Sequence, residues 1–468
     1  MANRRLARDA LAYTIGGTLQ LLATLLLLPI ATRVLPEDEY GFVVLLQLVT
    51  LVSVLAGGLG FPVAAMREYF TPDGGVDRAR RVVASTVPAA ALVAIVGSIG
   101  FVIWQRSSAT ETATTAVLLS IAVSVPRALV ASGLGYIRSN RDVRSFLGIS
   151  IVNTIGAQLA GVAVAFVAGR TATNFMLGFV VGSAVAALWT WVACGRPLGL
   201  LAWPQAREVF RYSLPIVPAA LATLVLQAGD RLVVQASMGS VEVGRYQVGY
   251  LLASLAVPAL VAFNNAWGPQ LAEASENGSF GQALDEPISA IVLGASWAGT
   301  CCAVLAPAMI AQALPKSYDA DGLRVVIAIV AASSFWFAIY VVATQVLAAA
   351  RRTKILAVAT PLATAINVGL NLWLVPRYGL EGAAAATTVA YVFLAVVATM
   401  AARTIHRYPL DLVTLGGGVA AGIYGAAAIP IGTDSARDVL LRAIVTIPAL
   451  VVLGLVARKA MRPAGSIA

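Results

Sequence analysis

Apolar residues run in long blocks rather than in a two-residue alternation or a one-faced helical period, and fourteen such blocks follow one another along the chain. They cover residues 10–31, 41–61, 82–104, 114–136, 146–168, 174–194, 214–236, 246–267, 288–314, 325–349, 355–375, 380–402, 412–431 and 439–456. At about 1.5 Å per residue, roughly 20 residues of helix cross a hydrocarbon core of about 30 Å. The pattern therefore predicts an all-α polytopic membrane protein with about fourteen transmembrane helices.

Composition leaves no stretch for a soluble domain: 59% of the 468 residues are hydrophobic and only 12% charged. The net charge of +10 would suit nucleic acid, but 29 of the 32 basic residues are arginines spread over many connections. The lipid bilayer, not nucleic acid, is the expected partner of that charge. Arginine-rich and arginine-poor connections alternate, and a cytoplasmic N-terminus places 21 of the 32 basic residues inside. The inner groups include Arg67, Arg78, Arg80 and Arg81; Arg138, Arg141 and Arg144; and Arg351, Arg352 and Lys354. Both termini are then cytoplasmic, in a cytoplasmic (inner) membrane. The connection 272–286 breaks the pattern with Glu273, Glu276, Asp285 and Glu286, but acids orient spans weakly. Arg33, Arg245 and Arg324 fall at outer interfaces, where anchoring is the expected role. The first apolar run is too long for a signal peptide and opens a regular series, so it is read as retained.

Several chemistries are disfavoured. Cys194 ends a span, Cys301 and Cys302 are adjacent within another, and His406, the single histidine, lies in an inner connection. Neither a disulfide framework nor a metal site is expected. Lys316, Lys354 and Lys459 follow Pro315, Thr353 and Arg458, so none has the preceding glycine of a P-loop. No catalytic residue is expected.

A shift of 203 aligns Leu35, Glu39 and Gly41 with Met238, Glu242 and Gly244, and Gln20 and Thr24 with Thr223 and Gln227. The register drifts later, where Arg144 and Lys354 are 210 apart. Parallel repeats of this kind predict two pseudo-symmetric six-helix lobes around a central cavity, 1–200 and 201–408. Residues 409–468 add two helices and a cytoplasmic tail.

Polar residues recur on single faces. The stripes are Tyr13, Gly17, Gln20 and Thr24 in span one; Ser120, Ser124 and Arg127 in span four; and Ser150, Thr154 and Gln158 in span five. Span seven carries Thr223, Gln227 and Asp230, and span eleven Thr360, Thr364, Asn367 and Asn371. Each stripe can serve interhelical hydrogen bonds or line a cavity, and recurrence in both lobes points to the cavity. Arg127, mid-span, either receives an anionic group or forms a structural pair. Asp230 and Arg231, toward the outer end of span seven, either pair or supply a cation or proton site. Asn264, Asn265 and Trp267 suit the inner mouth of span eight, although Trp267 also suits an aromatic belt. The candidate substrate-binding residues are thus Arg127, Tyr13, Gln20, Thr24, Thr223, Gln227, Asn264 and Asn367, with Asp230 and Arg231 as coupling or cavity charges. Gly178 and Gly182 are expected to let helices pack closely.

The outer turn Leu35-Pro36-Glu37-Asp38-Glu39-Tyr40-Gly41 is followed by Arg211-Tyr212-Ser213-Leu214-Pro215, Gly229-Asp230-Arg231-Leu232-Val233 and the turn 239–246. In this order and spacing the chain resembles, over about residues 5–460, the polysaccharide-transport branch of the multidrug, oligosaccharidyl-lipid and polysaccharide exporter superfamily. That branch includes the Wzx-type O-antigen flippases. The resemblance implies a V-shaped pair of lobes opening alternately to each side. It further implies a polyprenyl-diphosphate-linked oligosaccharide as substrate, moved to the outer leaflet for O-antigen, lipopolysaccharide or exopolysaccharide biosynthesis. No cofactor is implied; Na+ or H+ coupling, and polymerase and export components as partners, are open expectations. A diphosphate suits Arg127, and sugar hydroxyls suit the polar stripes. Two alternatives stay open. A basic Arg127 counts against an ion-coupled multidrug exporter of the same superfamily. Short outer connections without histidine count against a membrane-embedded polysaccharide polymerase or glycosyltransferase.

Overall fold

A computed structural model describes residues 25–72, 74–107, 114–258, 260–261, 267, 271, 280–405, 410, 412–433 and 435–460. Tyr13, Gly17, Gln20, Thr24, Asn264, Asn265 and His406 lie outside the described residues. Among the described residues all regular structure is helical, and nine helices are long and apolar enough to cross a membrane. The chain is an all-α, multi-pass membrane protein, and it divides into two compact units, Met1–Leu224 and Val225–Ala468.

The first unit contains α1 (Leu25–Val34), α2 (Glu37–Gly58), α3 (Phe61–Tyr69), α4 (Gly75–Ser107), α5 (Thr114–Ala122) and α6 (Ser124–Ser139). After them come α7 (Val143–Ile151), α8 (Ala157–Ala168), α9 (Ala172–Ala193) and α10 (Trp203–Ser213). Glu37, Asp38 and Glu39 open α2, where carboxylates favour the positive end of the helix. Glu39 also accepts a hydrogen bond from the Ala172 amide, tying the start of α2 to that of α9. Predicted span four is α5 and α6 together, broken at Val123 because the ring of Pro126 excludes a bond to the carbonyl of Ala122. Between α7 and α8 the backbone widens into a π-helical turn, Val152–Gly156.

Two glycines are required by what approaches them. Gly60, at φ 74°, turns the chain from α2 into α3, and a Cβ there would collide with the Ser213 backbone. Ser213 in turn donates to the Leu59 carbonyl at 2.9 Å, so α10 is pinned to the first unit. At the α8–α9 contact, a Cβ on Gly182 would lie 2.5 Å from Ala157 Cα. The division between units falls beyond this pin, inside α11 (Ile216–Ala228), which is bent 43° from α10 at Leu214 and Pro215.

The second unit continues with α12 (Asp230–Met238), α13 (Ser240–Ala253), α14 (Phe280–Ala313), α15 (Arg324–Ala349) and α16 (Lys354–Arg403). The 50-residue α16 is two spans, broken by Gly379 (φ 58°, ψ −139°) three residues after Pro376, where the sequence predicts a turn. The final helices, α17 (Leu412–Ala427) and α18 (Ala436–Ala460), pack on α14, and Thr300 donates to the Ala421 carbonyl across that seam at 2.7 Å. One expectation changes here. Trp267 belongs to neither a mouth nor a belt: it is buried in the core with Leu271, Ile288 and Val342. Arg324, expected at an outer interface, lies 3.3 Å from Asp321 and donates to the carbonyls of Ile429 and Ile431 beyond the end of α17, each at 3.0 Å. Arg442, only 1% exposed, completes that arrangement by donating to Val304, Ile431 and Gly432 carbonyls.

Among the described residues, three of the five non-glycine residues with positive φ are arginines at predicted inner helix ends: Arg141 (58°), Arg196 (54°) and Arg351 (56°). Arg141 and Arg351 close α6 and α15 in the same way, with the following amide bonded five residues back, Asp142 to Ile137 and Arg352 to Leu347. These two caps are 210 residues apart, the register at which Arg144 and Lys354 align. Glycine is the usual residue there, and an L-residue in this conformation costs roughly 1–2 kcal/mol.

Gly182→Ala should destabilise the protein by about 1–3 kcal/mol through overpacking. Gly369→Ala, where a Cβ meets nothing within 4 Å, should not. Thermal unfolding in nanodiscs would separate the two.

Candidate functional site

Arg127 sits one turn into α6, immediately after the Pro126 break. Its Nη1 donates to the Asn153 carbonyl at 3.1 Å, within the π-helical turn, and its guanidinium lies 5.0 Å from the centre of the Phe179 ring. A π-turn displaces carbonyls from the regular ladder, and such turns are frequent at functional sites. Both partners are neutral. Among the described residues no carboxylate pairs with Arg127, so its charge is positioned but not cancelled. The Asn153 side-chain oxygen, on the same turn, is buried and has no partner among the described residues.

The second charged position is built differently. Gly229 separates α11 from α12, and Asp230 and Arg231 follow at once, 1% and 6% exposed. Arg231 Nη1 donates to Asp230 Oδ1 at 2.7 Å and to the Gln227 carbonyl at 2.9 Å, while its Nε donates to Gln247 Oε1 at 2.8 Å. The Tyr246 hydroxyl donates to Asp230 Oδ2 at 2.7 Å. The guanidinium also faces the Tyr250 ring at 4.8 Å, and Tyr250 shares a hydrogen bond with Tyr391. Both carboxylate oxygens are therefore engaged. Tyr246, Gln247, Tyr250 and Tyr391 are not apparent from the span-seven stripe. The signal lay in span eight, where Tyr246 and Tyr250 are four apart and so share a face.

The remaining stripe residues divide between two environments. Asn367 is fully buried and donates to Thr387 Oγ1 at 3.4 Å, across the two halves of α16. Asn371 donates back to Asn367 at its carbonyl (2.9 Å) and its side-chain oxygen (3.2 Å). Ser120 and Ser124 are buried and donate to carbonyls of α5, Val117 and Ile121, and the Ser120 carbonyl accepts from Thr50 of α2 at 2.9 Å. Thr223 and Gln227, one turn apart on α11, stay exposed. Thr223 satisfies its hydroxyl with the Ala219 carbonyl at 2.9 Å.

A further cluster joins the inner ends of the first unit. Glu68 of α3, 3% exposed, pairs with Arg78 Nε at 2.7 Å and accepts from the Tyr212 hydroxyl at 2.8 Å. Arg78 reaches on to Glu208 at 3.0 Å, and Arg67 lies 4.2 Å from the Tyr212 ring centre. Burial, reinforced by Glu68, pushes the Tyr212 hydroxyl well above the usual tyrosine range. In the sequence Glu68 is one of three acids, with Asp73 and Asp77, in a basic connection, and nothing in its spacing links it to Tyr212.

The sequence model of the family described as "Polysaccharide biosynthesis protein" matches residues 6–275, more than half of the chain. The chain belongs to this polysaccharide biosynthesis protein family. No curated protein matches it. Solved structures do. A lipid II flippase, MurJ, in an inward closed conformation has a TM-score of 0.70 at 13% identity, covering 97% of this chain and 100% of that one. An inward-facing multidrug resistance MATE transporter of the MOP superfamily gives 0.62 at 12%, covering 85% and 94%. A MOP superfamily transporter from Pyrococcus furiosus, whose binding pocket is described as reversed in polarity, gives 0.56 at 12%, covering 85% and 95%. This polysaccharide biosynthesis protein thus shares its fold with a lipid II flippase and with transporters of the MOP superfamily.

Removing one member of the buried pair strands the other charge. Asp230→Asn should cost about 3–5 kcal/mol, and the double variant Asp230→Asn, Arg231→Met should recover most of it. Thermal unfolding of the single and double variants would read the coupling.

Proposed function

We propose that this protein is a flippase. It moves a polyprenyl-diphosphate-linked oligosaccharide from the cytoplasmic to the outer leaflet of the inner membrane by alternating access, for cell-surface polysaccharide biosynthesis. The observation that carries this reading is the contrast between two arginines at membrane depth. Arg231 is neutralised by Asp230 at 2.7 Å, whereas Arg127 is held by a carbonyl and an aromatic ring. A guanidinium has five N–H donors in a fixed fork, and only one of those on Arg127 is taken by Asn153. The rest can meet the oxygens of a diphosphate with charge-assisted hydrogen bonds. A charged side chain kept at this depth is expensive, and recognition of an anionic headgroup offsets that cost.

The exposed Thr223 and Gln227 support sugar recognition, since hydroxyl and amide groups exchange hydrogen bonds with glycan hydroxyls at little energetic expense. Family membership supports the polysaccharide destination, and the fold shared with a lipid II flippase supports a lipid-anchored cargo. The MATE likeness raises drug export as a second reading, but a lone cation at Arg127 repels cationic drugs. Coupling to a Na+ or H+ gradient belongs to this proposal, and Asp230 serves it only where its pairing with Arg231 opens.

The test is flipping of a fluorescent polyprenyl-diphosphate oligosaccharide in proteoliposomes. Loss of a charge-assisted bond worth about 1.5–3 kcal/mol should slow Arg127→Ala by about tenfold or more, with Arg127→Lys keeping part of the rate. Wild-type flipping by a folded Arg127→Ala protein would sink the assignment.

A further inference from the structure

We propose that a cavity at the C-terminal end of α14 is a carbohydrate-binding site that takes a neutral sugar unit. It lies wholly within the second unit, has a volume of about 620 Å³, and is lined by Gln312, Lys316, Asp319, Asp321 and Thr433 together with small and apolar residues. Cavities that hold small ligands run from about 300 to 1,000 Å³. The arginine pattern of the sequence puts both connections that form it, 315–323 and 428–435, on the outer side.

The lining selects the ligand. Among the described residues Lys316 forms no ion pair, although Asp319, three residues on, lines the same cavity. Asp319 Oδ1 accepts from the Gly322 amide at 3.2 Å, and its Oδ2 meets no donor among the described residues. Opposite charges held apart across a polar cavity suit a ligand whose groups both donate and accept. A sugar hydroxyl does so, with one donor and two acceptor positions. Neighbouring hydroxyls can give to the Asp319 carboxylate while another receives from Lys316, and the Gln312 amide serves in either sense. Lys316 repels a divalent cation and the two carboxylates repel an anion, so a neutral ligand is favoured.

The frame of the cavity is set before a ligand arrives. Thr433, 1% exposed, donates to Asp321 Oδ1 at 2.9 Å, and Arg324 Nε lies 3.3 Å from the same oxygen. The bonds of Arg324 and Arg442 to the carbonyls of Ile429, Ile431 and Gly432 hold the connection that carries Thr433. A wall ordered in advance spares part of the cost of binding. Asp321 is thereby a structural partner, and Gln312, Lys316 and Asp319 are the groups that meet the sugar. That this sugar belongs to the cargo glycan rests on the flippase reading; binding of a free sugar does not.

The experiment is saturation-transfer NMR on the full chain in phospholipid nanodiscs, without glycoside detergent. The soluble probes are glucose, galactose, mannose, rhamnose and N-acetylglucosamine. At least one should bind in the millimolar range. The variant Lys316→Met, Asp319→Asn should weaken that binding by about fivefold or more, through loss of charge-assisted hydrogen bonds. Asn keeps an oxygen for the Gly322 amide, so the unfolding midpoint should stay at the wild-type value. Ala320→Phe fills the cavity without touching a charge and should abolish binding. Absence of saturation transfer to all five sugars with folded wild type would overturn the proposal, as would wild-type binding by both folded variants. Stabilisation by millimolar Ca2+ that Asp319→Asn removes, with no sugar bound, would reassign the cavity to a cation and also overturn it. The probes carry neither lipid nor phosphate. Sugar binding by a protein that does not flip therefore leaves this site standing while the transport reading falls, and flipping without sugar binding does the reverse.

Discussion

A backbone carbonyl that leaves its helical ladder inside a bilayer finds no water, and in this chain arginine meets it. Arg127 donates to Asn153 in a π-turn, Arg231 to Gln227 beside the Gly229 break, and Arg324 and Arg442 to the carbonyls that follow α17. Each break is made by a residue that disfavours helix, such as Pro126 or Gly229, or by an irregular turn. Each would be untenable without a donor long enough to reach across helices. Breaks let a span bend, and bending is what an alternating-access protein requires, so the arginines sustain both the fold and the proposed motion.

The same device yields different chemistry according to what else stands nearby. Arg231 has a carboxylate, an amide oxygen and two aromatic rings around it, and its charge is consumed. Arg127 has a carbonyl and one ring, and among the described residues no carboxylate consumes its charge.

Much of this was legible in the sequence because the bilayer imposes long apolar blocks whose ends are marked by proline, glycine and arginine. The turn at Pro376 to Gly379, the close approach at Gly182 and the polar face of span seven are all of this kind. What was not legible depends on side-chain direction. Asn367 carries the same stripe signature as Thr223, yet one is sealed against Thr387 and the other is exposed. Periodicity fixes which residues share a face, but not whether another helix covers it. Trp267 was misplaced for a related reason: a large aromatic near a span end is equally compatible with the interface and with an inward turn. The Glu68, Arg78 and Tyr212 cluster joins residues up to 144 positions apart and leaves no local trace.

The adjacency of Asp230 and Arg231 also bears on how the chain is made. Opposite charges on neighbouring residues can close their ion pair within one nascent segment, before any partner helix has been synthesised. Span seven can then pass from the translocon into lipid as a neutral unit, without the penalty of inserting two separate ions. Tyr246 and Gln247 arrive later in translation and lock a pair that has already entered the membrane.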